Sequence, residues 1–314
     1  MTVQSHSSPF PRQPGPPGPG ARGAARGPAR PVPPGLISHA LEVAGRLAND
    51  ATDVITATAG RGARPSAKES PFDWVTDTDR TLERHTRRVL TAEFPGVPVV
   101  GEEYGADVGA SDAEYRWVVD PVDGTANYVA GVPWCAYSLA LVDADGPVVG
   151  VVADPYRGQI YAAARGRGAR ANGSPVKLAA RSGLAGALVC TELTRGGPWP
   201  GMGEFIAHAA NAHAGVRILG SAALAVVQVA LGHAAAVVLH TFHEWDVAGG
   251  VALALESGAV ALALESGAVV LALESGAVVL DRGGSGSALP PDGMLVAAPG
   301  VADEVLRWWR DATR

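Results

Sequence analysis

An α+β fold is expected for this chain, and three observations predict it. Apolar residues recur at helical spacing near the start. Short apolar runs, punctuated by Gly, Pro and Asp, fill the middle. The second half mixes both patterns without the regular strand–helix alternation of a doubly wound sheet.

The elements follow in order. Residues 1–34 are dominated by Pro, Gly, Ala, Ser and Arg and contain no Asp or Glu, which predicts a disordered tail. Order is expected from about Gly35, because Ile37, Ala40, Leu41, Ala44 and Leu47 fit a helix over 36–59. The glycine-rich 60–66 reads as a loop. Thr78-Asp79 lies at the start of a helix over 77–93, with Leu82 and Leu90 inward. Strands are expected at 97–101 and 117–120, then an antiparallel set near 135–143, 147–154 and 158–164, with Asn172-Gly173 as a turn. Further on, a strand at 187–193, a helix over 201–213, a strand at 216–219, a helix over 221–231 and a strand at 235–240 lead to Asp246, which opens another helix.

Bulk properties narrow the function. With 47% apolar residues, 314 residues can bury a substantial core. A net charge of −6 argues against a nucleic-acid binder. The apolar stretch 247–280 is interrupted by Glu256, Glu265 and Glu274, which argues against a membrane span, and nothing at the N-terminus resembles a signal peptide. Cys135 and Cys190 fit neither a disulfide framework nor a zinc pattern, and read as buried thiols of a cytosolic protein.

Residues 252–260 and 261–269 both read ALALESGAV, and 270–278 reads VLALESGAV. Nine residues turn a helix by half a turn too many or too few, so successive copies cannot present one face to one core. The repeat therefore reads as a duplication inside one helix–strand connection. The first copy should complete the helix after Asp246, the last should supply a strand at about 277–281, and the middle one should add helix or protrude.

The chemistry lies in three acidic clusters: Gly101-Glu102-Glu103, Asp120-Pro121-Val122-Asp123-Gly124-Thr125, and Trp245-Asp246. Each falls where a strand ends or a helix begins. Carboxylates suit hard cations such as Mg²⁺. Two of them three residues apart on a Pro/Gly turn can converge, and a Gly-Thr opening a helix offers N–H groups to a phosphate. Together these features point to metal-assisted transfer of a phosphoryl group to water.

Four stretches, KESPFDWVTDTD at 68–79, GEEYG at 101–105, WVVDPVDGTANYVAG at 117–131 and EWDVAGGVAL at 244–253, make residues 35–314 resemble the inositol monophosphatase family of metal-dependent sugar phosphatases. The resemblance implies a layered αβαβα sandwich, with an N-terminal metal- and phosphate-binding part (35–185) and a C-terminal part (186–314) that carries the repeat. It implies two or three Mg²⁺ ions. Glu102, Asp120 and the Val122 carbonyl resemble the ligands of the first, and Asp120, Asp123 and Asp246 those of the second. Glu102 and Thr125 resemble the pair that orients the attacking water. Gly124, Thr125, Ser221 (in Gly220-Ser221-Ala222) and Lys68 resemble phosphate and substrate contacts. Asp79 matches a position at the rim of the metal site, Glu103 one that hydrogen-bonds behind it, Asp73 reads as structural, and Trp245 should pack beneath Asp246.

Substrate positions depart from the family. Leu239 and Ala235 stand where relatives acting on inositol phosphate often carry Glu and Asp, leaving His240, His243 and Glu244 as other contacts, and Ala130 replaces a frequent histidine. The resemblance implies a cytoplasmic, lithium-sensitive homodimer that hydrolyses a small phosphate monoester, inositol 1-phosphate first. Histidinol phosphate, fructose 1,6-bisphosphate and 3′-phosphoadenosine nucleotides are the alternatives. A metal- and phosphate-binding protein without turnover, or a docking protein using its arginine-containing tail, are readings of other classes.

Overall fold

The computed structural model describes residues 31–60, 65–67, 74–179, 181–194, 197–257, 262–265, 268–271, 278–280 and 293–314. Nearly all of the expected tail, and both Lys68 and Asp73, lie outside these residues. Helix α1 (Pro34–Thr58) buries Ile37, Ala40, Val43, Ala44, Leu47, Ala48, Ala51 and Ile55, a single stripe at three- and four-residue spacing. A short antiparallel pair, β1 (Ser66–Ala67) and β2 (Trp74–Val75), follows. Helix α2 (Asp77–Glu93) opens on a capping box in which the Thr76 side chain meets the Asp79 backbone and the Asp79 carboxylate meets the Thr76 backbone.

Strands β3 (Val99–Gly101), β4 (Gly105–Ala106), β5 (Arg116–Asp123), β6 (Ala136–Asp143), β7 (Gly146–Asp154), β8 (Gln159–Ala164), β9 (Gly168–Ala171) and β10 (Ser174–Val176) form one sheet in the order β10-β9-β8-β7-β6-β5-β3-β4. All pairs are antiparallel except β3–β5. Helix α3 (Thr125–Ala130) follows β5. The expected Asn172-Gly173 turn joins β9 to β10 with positive φ at both residues, as a two-residue hairpin requires.

The second half holds β11 (Leu188–Thr191), α4 (Met202–Asn211), β12 (Gly215–Arg217), α5 (Ala222–Ala230), β13 (Ala236–Leu239), α6 (Glu244–Glu256), β14 (Leu262–Glu265), β15 (Ala268–Leu271), β16 (Val278–Leu280), β17 (Met294–Ala297) and α7 (Ala302–Ala312). Its sheet runs β12-β11-β13-β17-β16, with β11 parallel to β12 and β13.

Five layers result. Helices α1 and α2 cover one face of the large sheet. Helices α5 and α6 fill the space between the two sheets, and α4 and α7 close the far side. Alternation along β7 shows the division: Val151 and Ala153 join the core under α1, and Val152 joins the core under α6. The αβαβα sandwich is therefore present. Helix α6 lies very close to β7, because a Cβ on Gly150 would overlap the Ala252 methyl and the Gly249 carbonyl oxygen. No helix among the described residues is long and apolar enough to cross a membrane.

The repeat meets its expectations at both ends. Helix α6 runs into the first copy as far as Glu256, and the end of the third copy enters β16. The middle copy does not add helix. It supplies β14 and starts β15, an antiparallel pair separate from both large sheets.

Candidate active site

In a regular strand Asp120 and Asp123 would point to opposite faces, because three is an odd number of residues. Strand β5 is not regular there. Its register against β6 shifts between Asp120, opposite Ser138, and Asp123, opposite Ala136. Pro121, which has no N–H to give to a ladder, sits within the irregularity. The distortion brings both carboxylates to one cleft of about 250 Å³, whose walls also include Glu102, Glu192, Asp246, Gly124, Thr125 and Val122. Glu102 arrives from the end of β3, and Asp246 from the first turn of α6.

The cleft is strongly acidic. Glu102, Asp120, Asp123, Glu192 and Asp246 line it, with no lysine or arginine among its described lining residues. Asp120 is 2% exposed. Burial, then the charges of Glu102, Asp123 and Asp246, hold its carboxyl well above the usual carboxylate range. Burial likewise pushes Asp123 up to about 6, although the Ser221 hydroxyl and the amides of Ala223 and Ala222 favour its charged form. Those amides, at 2.8 and 3.3 Å, belong to the first turn of α5, so a helix N-terminus anchors Asp123. Asp246 accepts from the His243 amide at 2.7 Å, as the fourth residue of a capping box.

The four expected ligand side chains thus share one cleft. They are not closed into a finished cage: among the described residues no three His, Cys, Asp or Glu side chains stand ready to hold a metal ion. Asp123 and Asp246 instead direct oxygens to backbone amides. The donor set nevertheless fits a hard divalent cation. It is all oxygen, and the described lining adds no lysine or arginine to it.

Behind the cleft lies Asp79, fully buried. It accepts from the Thr76 amide at 2.9 Å and from the Thr76 hydroxyl. Burial is the main cause that raises its carboxyl to about 6, with Glu102 adding to it. The Thr125 hydroxyl lies 3.1 Å from Asp79 Oδ1 and 2.9 Å from the Val122 carbonyl oxygen. Its single proton can serve one acceptor at a time. Gly124 caps α3 at φ +89°, and a Cβ there would lie 2.7 Å from the Gly220 carbonyl oxygen.

The remaining expected contacts divide between the cleft and its surroundings. Ser221 is buried, donates to Asp123 Oδ2 and accepts from the Leu224 amide at 3.2 Å, so its side chain braces a carboxylate, while its neighbours Gly220 and Ala222 line the cleft. Leu239 lines the cleft and Ala235 does not. His243 lines it and stacks on Trp245 at 4.5 Å between ring centroids. His240 stacks on Trp199 at 5.2 Å, and Glu244 pairs with Arg116.

Two acids were not singled out from sequence. Glu83 is fully buried in α2 and accepts from Arg87 Nε at 2.8 Å and from the amides of Glu103 at 2.7 Å and Tyr104 at 3.2 Å, which fixes the turn carrying Glu102. Glu192, just past β11, accepts from the amides of Gly220 at 2.8 Å and Leu219 at 3.4 Å. Burial lifts its carboxyl to about 7. Its position directly after an apolar strand, like that of Glu102, was the available signal.

The description of the inositol monophosphatase family matches residues 37–308. An inositol-1-monophosphatase SuhB of Mycobacterium tuberculosis is 35% identical over 256 residues, covering 76% of this chain and 79% of its own length. A Nus factor SuhB of Pseudomonas aeruginosa is 34% identical over 224 residues, covering 69% and 83%. Among solved structures, the IMPase of Thermotoga maritima superposes with a TM-score of 0.75 at 24% identity, over 87% of this chain and 97% of that one, a likeness of fold.

Proposed function

This chain belongs to the inositol monophosphatase family, a family of phosphoric monoester hydrolases, and we propose that its acidic cleft hydrolyses a small polyol or sugar phosphate, inositol 1-phosphate foremost, in the presence of Mg²⁺. The observation that carries this reading is the crowding of carboxylates around Asp120 in a cleft whose described lining offers no lysine or arginine. Bound there, Mg²⁺ supplies the positive charge that a phosphate dianion and an attacking water both need.

The chain's own residues then divide the work. Glu102, Asp120, Asp123, Asp246 and the Val122 carbonyl hold two or three ions. The Thr125 hydroxyl, with its proton directed to Asp79 or Val122, keeps lone pairs to orient a water. Glu102 takes the proton of that water as its oxygen attacks phosphorus. The bond from phosphorus to the ester oxygen breaks, and the alcohol leaves with a proton from solvent. Gly124 and Thr125, at the start of α3, bring backbone N–H groups towards the phosphate, and Lys68 adds positive charge. The reading extends to the cytosol as compartment and to a homodimer, the latter tested by light scattering of the purified protein.

Leu239 in the cleft wall favours keeping histidinol phosphate, fructose 1,6-bisphosphate and 3′-phosphoadenosine nucleotides beside inositol 1-phosphate. A phosphate-release screen over these four, with Mg²⁺ and then with EDTA, tests the reading. Release that stops on chelation is the expected result. If Mg²⁺ raises the melting temperature but no monoester is hydrolysed, the protein binds without turnover and the hydrolase reading fails.

A further inference from the structure

Four of the five cleft carboxylates come from β3, β5 and the start of α6, and they form the mutually repelling group around Asp120. The fifth, Glu192, comes from the other sheet. Strands β11 and β13 run parallel with Thr191 beside Val238, so the next residues, Glu192 and Leu239, leave the ends of neighbouring strands side by side. Adjacent strands lie about 4.8 Å apart. Both residues line the cleft. One wall therefore pairs an apolar side chain with a carboxylate.

That carboxylate is held firmly. The amides of Leu219 and Gly220 each donate to one of its oxygens, and it forms no ion pair with a described residue. A carboxylate has roughly four acceptor positions. Backbone donors fix its orientation without filling them, and the residue is only half-buried, with the cleft as its opening. A fixed acceptor beside an apolar surface suits the edge of a polyhydroxylated ring or chain, with an O–H pointing at the acid and C–H groups against Leu239. Its ionised form does not suit a second anionic group, which like charge would repel.

We propose that Glu192 is the residue by which this cleft recognises a substrate hydroxyl, so that the preferred substrates are phosphate monoesters of neutral polyols. The proposal rests on the hydrolase reading above and names the group that selects among its substrates. A site built to accept a hydroxyl proton discriminates strongly against a compound that lacks it.

The test compares wild type with Glu192→Gln in Mg²⁺, on inositol 1-phosphate and on phenyl phosphate, which has no hydroxyl. The ratio of kcat/KM for the polyol over the aryl ester should fall by about tenfold or more in the variant, mainly through KM for the polyol. An equal fall on both substrates means that Glu192 merely braces the 219–221 turn, and overturns the proposal, as does no change. A wild-type enzyme that prefers phenyl phosphate also overturns it while leaving the hydrolase reading intact. A wild-type protein that hydrolyses neither ends both. Should the Gln variant not fold, Glu192→Asp, which withdraws the acceptor by one methylene, is read in the same way: a selective fall supports the proposal and a uniform effect overturns it.

Discussion

The sharpest consequence of the acidic cleft is that removing one of its charges should stabilise the metal-free protein while ending its chemistry. The perturbation is Asp120→Asn. Burial is the chief cause that raises Asp79 and Asp123 from an ordinary value of 3.8 to about 6, and Asp120 moves in the same direction with three acidic neighbours contributing. For Asp79 and Asp123 a rise of that size corresponds to roughly 3 kcal/mol each. Asparagine keeps an oxygen to accept the Val122 amide, now at 3.0 Å, and loses the charge. Without metal at pH 7 the variant should therefore be more stable by about 1–3 kcal/mol, a melting temperature higher by about 2–8 °C.

The sign follows from proton binding. Carboxyls raised in the folded state hold protons that the unfolded chain releases, so the cost of ionising them is absent below about pH 4 and grows as pH rises through about 6 for Asp79 and Asp123 and about 7 for Glu192. Wild-type protein in EDTA should lose stability from pH 4 to pH 7, and the variant should lose less. Added Mg²⁺ should restore wild type at pH 7 and act weakly on the variant, whose phosphate release should fall by about 100-fold or more. Thermal melts with EDTA or Mg²⁺, beside a phosphate assay, read all of this. A variant that melts below wild type without metal, or one that Mg²⁺ stabilises equally, would refute the view that this cluster is built around cations.

Three further outcomes are expected. Gly124→Ala places a methyl 2.7 Å from the Gly220 carbonyl oxygen at φ +89° and should cost about 2–4 kcal/mol, read as a lower melting temperature with reduced kcat. Cys135 and Cys190 are buried, with thiols pushed up to about 12 by that burial, so roughly one in 10⁴ is thiolate at pH 8; a thiol reagent should label neither in the folded protein and both in guanidinium. Deleting 261–278 joins the ESGAV of the first copy directly to Val279-Leu280, which restores the sequence that precedes β16, so phosphate release and melting temperature should stay near wild type.

What could be read from the chain was what local geometry decides. Helices α1 and α2 declared themselves through one apolar stripe each, and the start of α2 through Thr78-Asp79, whereas its cap at Thr76 emerged only from the structure. The carboxylates at Glu102, Asp123 and Asp246 were legible because each stands at an element end, and Asp120, inside β5, because Pro121 follows it. The αβαβα layering came from resemblance, since the periodicity of single elements does not say which sheet face a distant helix covers. Nor could local pattern show the supports. Glu83 carries no local signal, and only folding reveals that it is fully buried and holds the amides of Glu103 and Tyr104. Ser221 reaches Asp123 across 98 residues, and Glu192 gains its meaning from lying beside Leu239 on the next strand. The chemistry of this cleft thus belongs to short motifs, whereas its rigidity and its choice of substrate depend on long-range packing. Variation at Glu192 and Leu239 should therefore change which phosphate ester is accepted without touching the acids proposed to hold the ions.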